Sequence, residues 1–199
     1  MHIGVLASGR GSNLQAIIDA IEEGRLHVTL RVVISDREDA PALDRARQAG
    51  VPAVFLNPKD FPGRIDYDLK VAEVLSENGV DLVVLAGYMR LISAEFLARY
   101  PQRVINIHPS LLPAFPGLNA QEQALAYGVK FSGCTVHFVD VGMDTGPVIA
   151  QAVVPVLDND TEETLSERIL REEHRLYPQV LEWIAAGRVI VSGRRVIVK

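Results

Sequence analysis

His2-Ile3-Gly4-Val5-Leu6-Ala7-Ser8-Gly9-Arg10-Gly11-Ser12-Asn13-Leu14 opens the chain with an apolar run, a glycine-rich turn and the start of a helix. The run from His2 to Ala7 suits one short strand. Beyond the turn, Leu14, Ile17, Ile18 and Ile21 recur at helical spacing, and Gly24 stops the pattern. Ser12 with Gln15 three residues later has the form of a capping box. Glycines let the backbone approach a ligand closely, and a helix N-terminus offers free N–H groups to an anion. A phosphate is the natural occupant of such a turn, and a plain helix cap is the alternative. Gly9 and Gly11 match the first two glycines of a dinucleotide fingerprint, but Leu14 replaces the third. A Gly-Lys-Ser/Thr phosphate loop is absent. Asp36, after the second strand, could mimic a ribose-binding acid.

Strand and helix signals then alternate. Val28 to Ile34 reads as a strand, and Pro41 to Gly50 as a helix with Pro in its first turn and Gly at its end. Val54 to Leu56 is a third strand, followed by a Pro-containing loop from Asn57 to Gly63. Ile65, Leu69, Ala72 and Leu75 mark the next helix, closed by Asn78-Gly79. Val80 to Leu85 is apolar except for Asp81, as expected at the centre of a parallel sheet. Ala86 to Ile92 forms a loop too apolar for a solvated connection. It either packs on the sheet edge or lines a pocket for a flat organic ligand. Ser93 is placed to cap the helix that runs to Arg99.

These units predict an α/β fold with a doubly wound, mostly parallel twisted sheet of Rossmann-like type. Ser132 to Val139 and Val148 to Val156, joined by a short loop, predict antiparallel strands in the C-terminal part. A short helix is expected near Gln121 to Tyr127, and a long one from Thr161 to Ala186 with a kink at Pro178. The long helix carries the stripe Leu165, Ile169, Leu176, Val180, Ile184, and Glu173 completes it. An inward carboxylate needs a partner, either an arginine or ligand hydroxyls. Val189 to Ser192 and Arg195 to Val198 read as a terminal hairpin. If the first strand lies beside the fourth, the connections reverse there, and ligands are expected outside the carboxyl ends of those strands. The Gly9 loop, the Gly87 loop and the Asn106–His108 segment all follow strand ends and are expected to converge on one crevice.

In Asn106-Ile107-His108-Pro109-Ser110-Leu111-Leu112-Pro113, an amide and an imidazole sit two residues apart at a strand end and share a face. Pro109 stiffens the exit. The pair suits carbonyl chemistry, with Asn stabilising an oxyanion and His moving protons near neutral pH. A turn in which Asn bonds its own backbone is the plainer alternative. His108, His137 and Asp144 could also face a metal, but no His-x-x-x-His or Cys-x-x-Cys spacing supports one. Cys134, mid-strand, reads as core, and no Gly-x-Ser-x-Gly elbow is present. In acyl chemistry the nucleophile is then expected to come from the substrate.

The 199 residues are 48% hydrophobic with a net charge of -5, which suits one domain with a sizeable core and no basic surface for nucleic acid. A single cysteine excludes an internal disulfide and fits a reducing compartment. No run is long enough to span a bilayer, and the N-terminus lacks a basic n-region, so a cytoplasmic location is expected.

Gly9-Arg10-Gly11-Ser12-Asn13-Leu14, Leu85-Ala86-Gly87-Tyr88-Met89-Arg90, Asn106 to Pro113, and Ser132 to Val139 through Asp144-Thr145-Gly146-Pro147 closely resemble the folate-dependent phosphoribosylglycinamide formyltransferase family. The resemblance covers essentially the whole chain. The Asn-x-His…Asp core is also similar to methionyl-tRNA formyltransferases and formyltetrahydrofolate deformylases. Those relatives carry a further domain, which a chain of this length is not expected to have.

The resemblance implies an enzyme that passes the formyl group of 10-formyltetrahydrofolate to the amine of glycinamide ribonucleotide in purine synthesis. It implies no metal and leaves room for a homodimer. Asn106, His108 and Asp144 would be catalytic. Gly11, Ser12 and Asn13 would hold the phosphate, and Glu173 the ribose hydroxyls. Arg64, Met89, Arg90, Leu91, Ile92, Asn106, Asp140, Val141, Gly142 and Met143 would border the formyl-folate. Residues 1–100 would form a phosphate-binding half, and 101–199 a catalytic and folate-binding half, of one domain. The family often has His shortly after Pro116-Gly117, where this chain has Asn119. A formyl-folate hydrolase and a non-catalytic phosphosugar-binding module are the rival functions.

Overall fold

The computed structural model describes residues 1–199, which divide into two compact units, Met1–Asn106 and Ile107–Lys199. The first unit holds β1 (His2–Leu6), α1 (Ser12–Glu22), β2 (Thr29–Ser35), α2 (Pro41–Gln48), β3 (Ala53–Phe55), α3 (Arg64–Glu77), β4 (Leu82–Leu85) and α4 (Ala94–Arg99), and most of β5 (Val104–His108). Its strands lie in the order β3-β2-β1-β4-β5 and every pair is parallel. The expected neighbour relation holds: Leu6 of β1 sits opposite Leu85 of β4. Strand order therefore reverses at this pair, and the turns after β1 and β4 leave the same end of the sheet. Ile3, Val5, Leu6, Val83, Val84 and Ile105 are fully buried, as strands covered on both faces require.

One local expectation fails. Ser12 does not cap α1. It is the first helical residue, and Gly11 takes the cap position with φ 70° and no side-chain bond. Gln15 instead bonds Asp19 and receives a bond from Arg45. In α3 the buried face is Tyr67, Asp68, Val71, Ala72 and Leu75, while Ile65 is exposed. Asp68 is drawn inward because its carboxylate accepts the Ser93 N–H at 2.8 Å, and a satisfied polar group can be buried.

The second unit holds the end of β5, α5 (Ala120–Tyr127), β6 (Phe131–Phe138), β7 (Val148–Pro155), α6 (Glu162–Ala185), β8 (Val189–Ser192) and β9 (Arg195–Val198). β6 and β7 pair antiparallel, as do β8 and β9. Helix α6 packs on β6 and β7 through Leu165, Ile169, Leu176 and Val180, all buried, with Ile184 half-buried. It starts with a reciprocal capping box between Thr161 and Thr164 and continues through Pro178. Cys134 is buried in β6, and burial pushes its thiol up to about 12, so it acts as core. No helix is long and apolar enough to cross a membrane.

Candidate active site

In the first unit, the turn after β1 is built for close approach. Gly11 is buried with φ 70°, and a Cβ there would lie 2.8 Å from Ala42 of α2. Only glycine fits both the left-handed backbone and that contact. Arg45 of α2 fastens the turn from behind, donating to the Arg10 carbonyl at 2.8 Å and to Gln15 Oε1 at 2.9 Å. Ser12 and Asn13 follow as the first residues of α1, where backbone N–H groups lack helical partners. The expected phosphate residues therefore stand at a helix N-terminus. The pattern of two glycines before an apolar helix announced the turn, but Arg45 left no signal in the sequence.

The loop after β4 is tied to this turn. Ser8 donates its N–H to the Gly87 carbonyl at 3.0 Å, and the Ser8 hydroxyl accepts the Met89 N–H at 2.9 Å. Ser93 closes the loop through Asp68 and caps α4 through its hydroxyl, as expected. Met89 and Leu91 remain exposed, whereas Ile92 is buried. Ile92 packs down while Met89 and Leu91 face outward. The Arg90 guanidinium lies 4.8 Å from the Tyr67 ring centroid, a cation–π distance, and its buried Nε meets no acceptor. Arg64 is exposed at the start of α3. Tyr67 and Tyr88 share a 3.4 Å hydroxyl contact, and burial raises both phenols. Asp36 Oδ1 is buried without a hydrogen-bond partner. Asn106, half-buried on β5, sits opposite Leu85.

In the second unit, His108 and Asp144 come together. His108 Nδ1 lies 3.4 Å from Asp144 Oδ2, with both side chains largely buried. His108 Nε2 is 2.8 Å from the Phe115 carbonyl. Both ring nitrogens face oxygen acceptors, so a cationic ring can donate at each end and a neutral ring at only one. Asp144 Oδ2 also accepts the Gly117 N–H at 2.8 Å. On its other oxygen, Asp144 faces His137 Nε2 at 3.7 Å. His137 Nδ1 sits 2.9 Å from the Phe138 carbonyl and therefore carries its proton there. Burial lowers the His137 pKa despite that bond and the Asp144 charge. His137 is thus a buried neutral ring beside the pair.

The segment after His108 is rigidly held. Thr135 Oγ1 donates to the Ser110 carbonyl at 2.7 Å and accepts the Leu112 N–H at 3.1 Å. Gln151 donates to the Leu112 carbonyl at 3.0 Å. Asp144 reaches the imidazoles from a left-handed backbone, φ 54°. Its loop is wound by Asp140, whose Oδ1 accepts from the Gly142 N–H and from the Thr145 hydroxyl at 2.6 Å. Val141 and Met143 project outward. Glu173 is buried on α6, as the stripe predicted. Asn119 is the N-cap of α5 with φ 57°, a conformation asparagine tolerates well. The Phe115 and Gly117 contacts were not foreseen, because carbonyls and amides carry no sequence signature.

A family model described as formyl transferase matches residues 1–181. The chain belongs to the formyl transferase family. Among curated relatives of this family, it is 47% identical to the phosphoribosylglycinamide formyltransferase of Escherichia coli, over 95% of this chain and 89% of that protein. It is also 47% identical to the trifunctional purine biosynthetic protein adenosine-3 of Drosophila melanogaster, where the match covers 96% of this chain but only 14% of that protein. The solved glycinamide ribonucleotide transformylase 1 of Symbiobacterium toebii is 57% identical, with a TM-score of 0.98, covering 100% of this chain and 93% of that one. A formyltetrahydrofolate deformylase from Pseudomonas syringae shares the fold, with a TM-score of 0.91, but is 28% identical and only 65% covered.

Proposed function

We propose that this formyl transferase moves the formyl group of 10-formyltetrahydrofolate to the amine of glycinamide ribonucleotide, in the cytoplasm and without a metal. The observation that carries this reading is the His108–Asp144 pair, with His108 two residues beyond Asn106 on β5 and Asp144 reaching it from the loop before β7. Amide and imidazole N–H groups are the donors that a carbonyl addition needs. Similarity to the E. coli enzyme at full-length scale supports the acceptor, and the lower identity to the deformylase weighs against water in that role.

In this mechanism the free amine forms a bond to the formyl carbon, and negative charge develops on the formyl oxygen. Asn106 and cationic His108 donate to that oxygen. For His108 to do so, its Nε2–H must exchange the Phe115 carbonyl for the substrate oxygen. Asp144 keeps the ring oriented throughout the step. Collapse of the tetrahedral intermediate breaks the carbon–nitrogen bond to the folate, whose nitrogen takes a proton lost by the attacking amine. The enzyme forms no covalent intermediate. Holding two reactants in register supplies much of the acceleration.

Gly11, Ser12 and Asn13 take the phosphate with α1 N–H groups, and Glu173 accepts from the ribose hydroxyls. Met89, Leu91, Ile92, Val141, Gly142 and Met143 suit a flat apolar ring system. Arg64 and the unpaired Nε of Arg90 suit carboxylates of the folate tail. Asp140 shapes the loop on which three of these residues sit. A steady-state assay with both substrates tests the reading. Product that requires the amine and survives chelator supports it. Formate released at the same rate without acceptor would replace it with a hydrolase.

A further inference from the structure

The loop that carries Asp144 is held from outside by one side chain. The Arg194 guanidinium donates to the Thr145 carbonyl at 2.9 Å. Arg194 sits in the tight turn between β8 and β9, after Gly193 with φ 59°. That hairpin lies beyond the residues matched by the family model and packs along β7 through β9. We propose that Arg194 is a positioning residue for formyl transfer, fixing Asp144 against His108 through the Thr145 carbonyl; this rests on the function proposed above.

The loop has reason to need such a strap. Asp144 occupies a left-handed backbone region that non-glycine residues avoid. A Cβ on Gly146 would lie 1.7 Å from the Phe138 carbonyl, and one on Gly142 would lie 2.0 Å from Thr145 Oγ1. The turn is therefore wound tightly around two glycines, whose backbones are the least restrained. Inside the loop, Asp140 secures Gly142 and the Thr145 hydroxyl. The Thr145–Gly146 peptide, one residue beyond Asp144, is secured by Arg194, and a charged donor makes the stronger kind of hydrogen bond to a carbonyl. Releasing it lets Asp144 relax out of its conformation, away from the 3.4 Å contact with His108. Val141, Gly142 and Met143 stay wound by Asp140, so turnover suffers and binding does not.

The test compares the full-length protein with Arg194→Ala and Arg194→Lys. Arg194→Ala should lower kcat about fivefold to tenfold and leave both KM values within about twofold. Arg194→Lys, which can still reach a carbonyl, should restore most of kcat. Arg194→Ala should add little to the loss caused by Asp144→Asn, because both act through one contact. Amide hydrogen exchange at residues 144–146 should quicken in Arg194→Ala whether or not the reaction is the one proposed. Unchanged kcat and unchanged exchange would overturn the inference, and so would a loss fully additive with Asp144→Asn. A wild-type protein that forms no product from the amine would instead overturn the proposed function, leaving the exchange result to judge the strap.

Discussion

Asp144 concentrates three demands on one carboxylate: it faces His108, faces His137, and accepts the Gly117 N–H. Asp144→Asn keeps the shape but removes the carboxylate that orients the His108 ring, so kcat should fall about a hundredfold with KM little changed. Asn106→Ala removes the proposed oxyanion donor and should cost about a hundredfold or more in kcat. Near-normal turnover in either variant would refute its role. His137 has the opposite electrostatics. Burial holds its folded pKa below the ordinary 6.5, so the unfolded ring binds a proton at a higher pH than the folded ring does. Its contribution to stability is full above about pH 6.5 and is lost as pH falls through the lower folded value. Urea denaturation across that range should show the loss, and NMR should place the His137 midpoint below that of a free imidazole. A His137 ring titrating above 6.5 would contradict the assignment of burial as the dominant cause.

At the scale of elements, the strand pair β6–β7 bears the second unit's geometry, and Gly133 is where it is tightest. A Cβ there would lie 1.9 Å from the Ala152 carbonyl of the partner strand. Gly133→Ala should cost about 3 kcal/mol or more, since a backbone atom and not a flexible side chain must move. Gly128, with φ 79° and open space around its Cβ position, should cost only about 1 kcal/mol as Ala. Denaturation midpoints that fall equally would contradict this account. These elements were legible because period and punctuation agree. The apolar runs of β1 and β4, the stripe of α6 and the Gly193-Arg194 turn each have a local cause. The inward turn of Asp68 in α3 was not legible, because it depends on a bond to Ser93, a residue far along the chain. The Ser12 cap failed because Gly11 can adopt a left-handed backbone and end the strand exit one residue earlier.

At the scale of the whole molecule, the candidate site was legible as residue types and not as contacts. Asn106 and His108 stand out by chemistry and spacing, whereas Asp144 entered the catalytic set through the family resemblance. The Phe115 carbonyl on His108, the Gly117 amide on Asp144, and the Arg45 and Arg194 anchors are long-range or backbone partners that no local pattern encodes. The reaction should be indifferent to chelators, because N–H donors supply the charge stabilisation that a metal would otherwise give. The most direct test is a single-turnover rapid-quench experiment with carbon-labelled formyl-folate, run with and without glycinamide ribonucleotide. Direct attack predicts that label passes into the amide product in one phase, with no label on protein and little formate when the acceptor is absent. Label retained on the denatured protein, or formate at the same rate in both tubes, would contradict the account.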